Sequence, residues 1–440
     1  MKRTGILFTA LLLAGCGFPY TPAALPSAST PAPDAAPPAR PYAPAYAAEA
    51  EARAPVTILI SIDGFRPDYL TRGATPTLSA LAAGGVSASM RPSFPSKTFP
   101  NHWTLVTGLR PDRNGVVGNT MEDPRRPGET FTMATDDPFW WNEAEPVWVT
   151  AERAGVRTAT EFWPGANVGW GGSEVPNGHG QVTGGTRPED WHQFNQATTG
   201  DQRVDAVLDW LRRPAATRPR FVTLYFDTVD TAGHEYGPDD PRTTAAAGAV
   251  DGSIRRLLDG LAALGQAANL VIVSDHGMAA TSSDRTIALD RIVNPADYRM
   301  IESGPYVSLA PVPGHEGALA AALLRPHPHL QCWRKADIPA RFHYGANPRV
   351  EPFLCLAETG WLVLKTAPVE ARTGGDHGYD NDAPDMRALF IANGPAFARG
   401  ARLGSFDNVD VAPLLRDLLG LPPGAGLDGD DAPFRRVLAR

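Results

Sequence analysis

Residues 56–64 read VTILISIDG, an aliphatic and β-branched run that closes on a carboxylate and a glycine. Such a run is typical of a strand buried on both faces of a sheet. Two further strand patterns, at 220–226 and 269–274, lead in the same way to carboxylates. Other patterns alternate with these runs: helices at 76–83, 100–108, 245–264 and 409–419, and a late strand at 388–392. The alternation predicts an α/β fold with a mostly parallel central sheet and helices on both faces.

Potential metal ligands follow these strands, at the edge where open α/β sheets place their sites. Six carboxylates and imidazoles are the candidates: Asp63, Asp230, His234, Asp275, His276 and His377. Catalytic zinc takes about three such ligands, so six residues predict two Zn²⁺ ions per chain. Manganese and iron remain open alternatives. Each motif taken alone also fits an ordinary turn or a solvated loop, and the prediction depends on their joint occurrence.

A candidate nucleophile lies in residues 95–102, which read PSKTFPNH. Thr98 stands at the start of a predicted helix, where free N–H groups and the helix dipole favour a phosphate. Its hydroxyl needs a metal ion to become reactive near neutral pH. The alternative role is a plain helix N-cap. A hydroxyl nucleophile beside two metal ions indicates a hydrolase that acts on phosphorus.

Seven stretches together carry a family resemblance: SIDGFR (61–66), FPSKTFPNH (94–102), LVTGLRP (105–111), NGVVGN (114–119), DTAGH (230–234), SDHGM (274–278) and GDHGYDN (375–381). The chain resembles the nucleotide pyrophosphatase/phosphodiesterase family of the alkaline phosphatase superfamily over about residues 55–425. The resemblance implies an alkaline phosphatase-like fold and a dizinc hydrolase that cleaves phosphodiester or phosphoanhydride bonds of nucleotide-like substrates.

The resemblance also implies a role for each matching residue. One zinc would be held by Asp230, His234 and His377, and the other by Asp63, Asp275 and His276, with Thr98 beside it. Thr98 would carry the phosphoryl group as a covalent phosphothreonine. Asn119 would contact the phosphate, with the Phe99 N–H as a second donor. A nucleobase would stack on Phe99, Trp163 and Tyr225, for which core packing is the alternative.

The neutral Asn119 favours diesters over dianionic monoesters, although Arg66, Lys97 and Arg110 lie within the motifs and weaken that inference. Lys97 is expected to be a solvent-facing or structural charge. A phosphomonoesterase or a phosphonate-ester hydrolase on the same site is the nearest alternative function. A tethered binding protein without turnover and a transferase that uses an acceptor other than water also remain open.

The N-terminal residues predict an exported protein. Residues 1–16 form a lipoprotein-type signal, in which LAGC (13–16) resembles the bacterial lipobox and Cys16 would carry a lipid anchor to the membrane. An ordinary secretory signal is the alternative. The expected location is the bacterial cell envelope, facing the periplasm or the exterior.

The predicted domain order is a Pro/Ala-rich tether (17–54), a catalytic domain (55–425) with an inserted subdomain or cap at 279–373, and a C-terminal tail (426–440). Cys332 and Cys355 form an even pair for a disulfide in an oxidising compartment, with two free thiols as the alternative. The net charge of -8 argues against a stable nucleic-acid complex. The expected partner is a small-molecule phosphodiester or nucleotide.

Overall fold

The computed structural model describes residues 53–175 and 181–439. The predicted signal segment, Cys16 and all but the end of the predicted tether lie outside the described residues. Within the described residues, every helix is too short or too polar to cross a bilayer.

The strands, in chain order, are β1 (Val56–Ile62), β2 (Val86–Met90), β3 (Met121–Glu122), β4 (Thr130–Phe131), β5 (Thr158–Glu161), β6 (Ser173–Glu174), β7 (Val182–Thr183), β8 (Asp190–His192), β9 (Phe221–Phe226), β10 (Ala268–Val273), β11 (Ala279–Ser282), β12 (Thr286–Ala288), β13 (Tyr298–Glu302), β14 (Tyr306–Pro311), β15 (Leu330–Arg334), β16 (Phe353–Ala357), β17 (Leu362–Leu364), β18 (Thr373–Asp376), β19 (Ala388–Asn393) and β20 (Ala401–Arg402).

The α-helices are α1 (Pro76–Gly84), α2 (Thr98–Thr107), α3 (Pro111–Asn114), α4 (Val147–Arg153), α5 (Gly200–Arg212), α6 (Thr228–Tyr236), α7 (Pro241–Ala263), α8 (Glu316–Leu323) and α9 (Val411–Leu419). Short 3-10 turns occupy Pro67–Thr71, Pro138–Trp140, Leu289–Arg291, Lys335–Asp337, Ala340–Phe342, Pro384–Met386 and Asn408–Asp410.

The central sheet has the strand order β20-β2-β19-β10-β1-β9-β5-β8. Every neighbouring pair is parallel except the two that involve β19, which runs antiparallel to β10 and β2. The predicted mostly parallel sheet is therefore confirmed. Ser61 of β1 lies opposite Val273 of β10 and Tyr225 of β9, so the carboxyl ends of the three middle strands share one edge.

Both faces of the sheet are covered. Ile58 and Ile60 of β1 belong to a core with α1, α5 and α7, whereas Leu59 points to a second core with α2, α4 and α9. All seven residues of β1 are buried, as the uninterrupted apolar run predicts. Helices on both faces are the reason that the functional residues are restricted to the strand ends.

Residues 279–373 contain a second sheet, which is antiparallel with the order β13-β14-β16-β15. Pairing of β11 with β18 brings the two ends of this segment together. Val307, Leu309 and Phe353 of its sheet pack with α8 in a core of their own. A disulfide joins Cys332 to Cys355 across β15 and β16, which confirms the predicted pairing.

Candidate active site

One ligand cluster lies at the ends of the two middle strands. Asp63 follows β1 directly, and Asp275 and His276 follow β10. The His276 Nε2 atom lies 2.9 Å from Asp275 Oδ2 and 3.4 Å from Asp63 Oδ1. All three side chains are buried, and their ligand atoms lie within 4.8 Å of one another. The cluster has the composition and size of a metal site with an open position.

A second cluster lies beside it. Helix α6 places Asp230 and His234 one turn apart, with 3.4 Å between Asp230 Oδ2 and His234 Nε2. The His377 Nε2 atom lies 3.6 Å from Asp230 Oδ1 and 3.1 Å from His234 Nε2. Asp376, which the sequence reasoning did not select, groups with the two histidines as a possible ligand. The Asp376 carboxylate also accepts the His377 N–H at 2.8 Å.

The hydrogen bonds of the three histidines show which ring nitrogen carries the proton and which one presents a lone pair to the clusters. Each Nδ1 lies 2.9 Å from a backbone carbonyl oxygen: that of Gly375 for His234, Gly277 for His276 and Ser96 for His377. A carbonyl only accepts, so each Nδ1 carries the proton and each Nε2 presents a lone pair to the clusters. Lone pairs from His234 and His377 thus face each other at 3.1 Å, an arrangement that a cation between them stabilises.

The carboxylates fit the same interpretation. Asp63 Oδ1, Asp230 Oδ1 and Asp275 Oδ2 are buried and have no hydrogen-bond partner among the described residues. Burial, with repulsion from Asp275 and Asp230, holds the pKa of Asp63 well above its ordinary value. Burial and the Asp230 charge raise the pKa of Asp275 to about 8. Burial and the neighbouring His276 hold the pKa of His377 well below its ordinary value. These residues fit divalent cations, which offset the clustered negative charge.

Thr98 lies beside the first cluster, at the start of a helix. It is the first residue of α2, and its Oγ1 lies 3.3 Å from His276 Nε2. The N-cap residue of this helix is Lys97, and no side chain caps the first turn. The plain N-cap role for Thr98 is therefore wrong. Beneath it, His102 is buried, with Nδ1 at 2.9 Å from the Thr98 carbonyl oxygen and Nε2 at 2.8 Å from Ser61 Oγ. His102 therefore supports the backbone of Thr98.

A cavity of about 670 Å³ opens over Thr98 and both clusters. Phe99, Asn119, Trp163 and Tyr225 all line it, as does Lys97. Trp163 and Tyr225 are also buried and pack edge-on against the His102 ring. Each of the two residues therefore lines the cavity and also packs in the core. The Tyr225 hydroxyl donates to Asp63 Oδ2 at 2.7 Å, which orients that carboxylate.

One expectation about the cavity needs correction. The Phe99 N–H, expected as a donor to phosphate, donates to Asn119 Oδ1 at 3.0 Å. This bond leaves the Asn119 Nδ2 group available to a ligand, because no protein partner for it occurs among the described residues. Of the two roles expected for Lys97, the structure shows the structural charge: Lys97 is 6% exposed, and its Nζ lies 3.4 Å from Asp376 Oδ1.

Sequence reasoning missed several cavity residues, among them Phe162, Asn167, His192 and Phe194. Phe162 follows β5, so the strand-end rule that selected the metal ligands could also have found it. Phe194 is 48% exposed at the cavity and packs edge-on against Phe162 and Tyr225. The cavity therefore has a continuous aromatic wall beside its polar floor.

Comparison with known proteins places these features in a family. A model described as type I phosphodiesterase / nucleotide pyrophosphatase matches residues 57–380. The Xenopus laevis protein named bis(5'-adenosyl)-triphosphatase enpp4 is 36% identical over 372 residues, which cover 83% of this chain and 78% of that protein. Mouse ectonucleotide pyrophosphatase/phosphodiesterase family member 1 is 36% identical over 391 residues, 85% of this chain but only 42% of the longer mouse protein.

Solved structures agree with this placement. Human ectonucleotide pyrophosphatase/phosphodiesterase 5 is 31% identical, with a TM-score of 0.80 over 88% of this chain and 100% of its own. An inactive variant of the murine enzyme in complex with AMP is 32% identical, with a TM-score of 0.81 over the same shares of the two chains.

Proposed function

Because the chain belongs to the type I phosphodiesterase / nucleotide pyrophosphatase family, of the alkaline phosphatase superfamily, we propose that it uses two Zn²⁺ ions and a phosphothreonine intermediate at Thr98. Members of this family are metal-dependent hydrolases, and the chain is one of them. The proposed reaction is cleavage of phosphodiester or phosphoanhydride bonds in nucleotide-like substrates. The observation that carries it is the Thr98 hydroxyl, 3.3 Å from His276 Nε2 at the floor of the cavity.

In this proposal, Asp63, Asp275 and His276 hold one ion next to Thr98, and Asp230, His234 and His377 hold the other. Three unpartnered carboxylate oxygens and three inward imidazole lone pairs support this assignment. When bound, the ions would supply positive charge for the phosphate and lower the pKa of a hydroxyl placed between them.

Thr98 Oγ1 would attack phosphorus, forming a threonine–phosphate bond as the bond to the leaving group breaks. Water would then cleave the threonine–phosphate bond and restore the hydroxyl. Asn119 would donate from Nδ2 to a non-bridging oxygen, with its amide held in place by the Phe99 N–H. Such a fixed donor stabilises charge that develops on the transferred phosphoryl group.

The aromatic wall supports a nucleotide-like substrate, since rings offer stacking surface to a base. Phe99, Trp163 and Tyr225 are the residues proposed to contact it. The AMP held by the murine relative is consistent with this class of ligand. The Lys97 charge is paired with Asp376, which leaves the neutral Asn119 as the phosphate donor and favours diesters over dianionic monoesters.

A phosphomonoesterase or phosphonate-ester hydrolase is the second candidate, favoured by the position of Lys97 on the cavity wall. If the Lys97–Asp376 pair opens in the complex, the ammonium becomes available to a second phosphate charge. Lys97→Met would then abolish monoester turnover selectively. An equal effect on monoester and diester turnover would contradict this candidate.

We also propose the domain plan and location that the sequence indicates: signal (1–16), tether (17–54), catalytic domain (55–425) with an insertion at 279–373, and tail (426–440). The protein would be exported to the bacterial cell envelope and anchored through lipid on Cys16. Metabolic labelling with a radioactive fatty acid tests the anchor. Loss of label in Cys16→Ser is the expected result, and equal labelling of both forms would contradict it.

The covalent intermediate provides the direct test of the proposed mechanism. Acid-quenched enzyme mixed with a nucleotide diester should carry a nucleotidyl adduct on the peptide that contains Thr98, detected by mass spectrometry. Thr98→Ala should lose the adduct and several orders of magnitude in turnover while retaining its metal. Near-normal turnover of Thr98→Ala would contradict the proposal, as would an adduct on another residue.

A further inference from the structure

We propose that the 279–373 segment positions Asn119 for catalysis, through Glu302, Tyr344 and Arg349. Asn119 belongs to residues 115–123, which we call the Asn119 loop. This inference rests on the proposed function, because it assigns a role through the phosphate contact of Asn119. It gives the 279–373 segment a catalytic purpose beyond packing.

Six hydrogen bonds join the segment to this loop, two of them from the Arg299 guanidinium to the Glu122 carboxylate at 2.7 and 2.8 Å. The Thr120 N–H donates to Glu302 Oε2 at 3.0 Å, one residue after Asn119. The Tyr344 hydroxyl donates to the Val117 carbonyl at 2.8 Å, two residues before it. Arg349 donates to the Gly115 carbonyl at 2.6 Å and to Asp123 Oδ2 at 2.7 Å, at the two ends of the loop. Partners on the segment therefore hold the loop at both ends and on both sides of Asn119.

The loop also fits closely against the segment. A Cβ atom on Gly118 would lie 3.4 Å from the Tyr306 hydroxyl, 3.5 Å from Glu302 Oε2 and 2.8 Å from the Thr120 carbonyl oxygen. The last distance is too short for any side chain, so glycine permits the turn of the loop's own backbone here, and the two contacts with the segment are at van der Waals distance. Val116 and Val117 are buried in the core that includes Tyr306. The loop has little room to shift.

The segment itself is fixed relative to the nucleophile. Phe94, four residues before Thr98, packs against three rings of the segment, at centroid distances of 4.3 Å to Phe342, 5.3 Å to Tyr344 and 6.1 Å to Tyr306. Arg349 is 1% exposed and pairs with Asp123. The same segment therefore contacts the stretch that precedes Thr98 and the loop that carries Asn119.

These contacts set the distance between the nucleophile and the phosphate donor. The Asn119 side chain contacts α2 through the Phe99 N–H bond at 3.0 Å. The loop also pairs with β4 through β3, whereas the backbone just before and just after Asn119 bonds Tyr344 and Glu302 of the segment. A misplacement of about 1 Å can lower a rate by on the order of 100-fold. Glu302, Tyr344 and Arg349 are thus positioning residues that act through Asn119.

A double-mutant cycle with Asn119→Ala tests the inference, with kcat and KM measured on a nucleotide diester for the metal-loaded enzyme. Glu302→Ala should lower kcat about tenfold, whereas Glu302→Gln, which retains an acceptor oxygen, should restore most of it. Tyr344→Phe removes only the hydrogen bond to the Val117 carbonyl and should lower kcat less. Tyr298→Phe is the matched control, because the buried Tyr298 hydroxyl on the same segment has no partner among the described residues.

In the Asn119→Ala background, Glu302→Ala and Tyr344→Phe should each change kcat less than about twofold, since their effect passes through the missing amide. The inference would be overturned if Glu302→Ala and Tyr344→Phe lowered kcat as much in the Asn119→Ala background as in the unmodified enzyme. It would also be overturned if, in the unmodified enzyme, they lowered kcat no more than Tyr298→Phe does. Equal impairment of Glu302→Gln and Glu302→Ala would contradict the role of the hydrogen bond. Normal turnover of Asn119→Ala alone would instead refute the proposed role of Asn119, which separates the two failures.

Discussion

Three imidazoles meet at the active site with their protons facing outward. His234, His276 and His377 each bond a backbone carbonyl through Nδ1, so their Nε2 lone pairs converge on buried carboxylates. In the absence of a cation this arrangement is unfavourable, because lone pairs and carboxylates repel one another at close range. A positive charge between these groups would remove that repulsion.

Removal of one imidazole should therefore lower metal content. His377→Ala should bind less zinc than the unmodified chain, because His377 Nε2 approaches both His234 and Asp230. Metal analysis after dialysis provides the measurement. His327→Ala is the control, since His327 Nε2 is bonded to the Ala322 carbonyl away from the clusters. Equal zinc content in His377→Ala and the unmodified chain would contradict the ligand assignment.

The stability of the metal-free protein should fall as pH rises from about 6.5 to about 8. The pKa of Asp275 is raised to about 8 in the fold, from 3.8. Above pH 3.8 the unfolded state loses this proton while the fold retains it, so rising pH favours unfolding, by up to about 1.4 kcal/mol per pH unit. Below about 6.5 the lowered pKa of His377 has the opposite effect, because the unfolded state gains a proton there. The carboxylate effect therefore dominates only above 6.5.

Thermal melting with a chelator and with added zinc measures this dependence. The gap in Tm between the two samples should widen from pH 6.5 to 8. Asp275→Asn, which lacks the titrating group, should reduce the slope in the chelated sample. A gap that stays constant or narrows over this range would contradict the prediction.

At the scale of single elements, the strands were the most predictable part of the sequence. β1 runs over the predicted 56–62, and β9, β10 and β19 begin or end within one residue of their predicted bounds. Each is an uninterrupted apolar run because it is buried on both faces. Their carboxyl ends located the first metal cluster for the same reason.

Helix α6 was not predicted, although it carries Asp230 and His234. Its residues 228–236 read TVDTAGHEY and contain few apolar positions, so the helical period is weak. Only Val229, Ala232 and Gly233 of this helix are buried. Tertiary packing holds it rather than local propensity. The pairing of Lys97 with Asp376 was not predicted, because it joins residues 279 positions apart.

The start of α2 depends on one buried amide. Asn101 Nδ2 donates to the Pro95 and Lys97 carbonyls at 2.9 and 2.8 Å, and its Oδ1 accepts the Ser93 N–H at 2.8 Å. Asn101→Ala would leave these buried groups unsatisfied. It should lower the free energy of unfolding by about 3 kcal/mol.

Urea denaturation measures this change. The exposed Asn195, whose Oδ1 accepts only the Ala197 N–H, provides the control, and Asn195→Ala should cost less than about 1 kcal/mol. A loss for Asn101→Ala no larger than that of the control would show that the amide does not hold the nucleophile's turn together.

At the scale of the whole molecule, the sequence predicted a mostly parallel sheet, but it did not predict which strands pair with one another. The strand order depends on long-range pairing, such as that of β19 with β10 and β2. The architecture of residues 279–373 was also beyond the sequence pattern, because short strands separated by proline-rich turns give weak periodicity. Their contribution to the site became visible only through contacts such as Glu302 with Thr120.

The disulfide should stabilise this segment without affecting catalysis. Cys332 and Cys355 are 23 residues apart, and loops of this order yield about 3 kcal/mol in the chain-entropy model. The double substitution Cys332→Ser with Cys355→Ser should lower Tm by several degrees and make it insensitive to reductant. Its kcat should stay near that of the unmodified enzyme. A Tm unchanged by both substitution and reductant would contradict the prediction.

We propose that two metal ions and Thr98 make this chain a hydrolase of nucleotide-like diesters. The most direct test is steady-state turnover of p-nitrophenyl phosphate and of a p-nitrophenyl nucleotide diester, each with a chelator and with added zinc. We expect zinc-dependent turnover with a strong preference for the diester, and loss of this turnover in Thr98→Ala. Preference for the monoester would overturn the proposed substrate class. Absence of turnover on both substrates with zinc bound would contradict the proposed zinc-dependent hydrolysis.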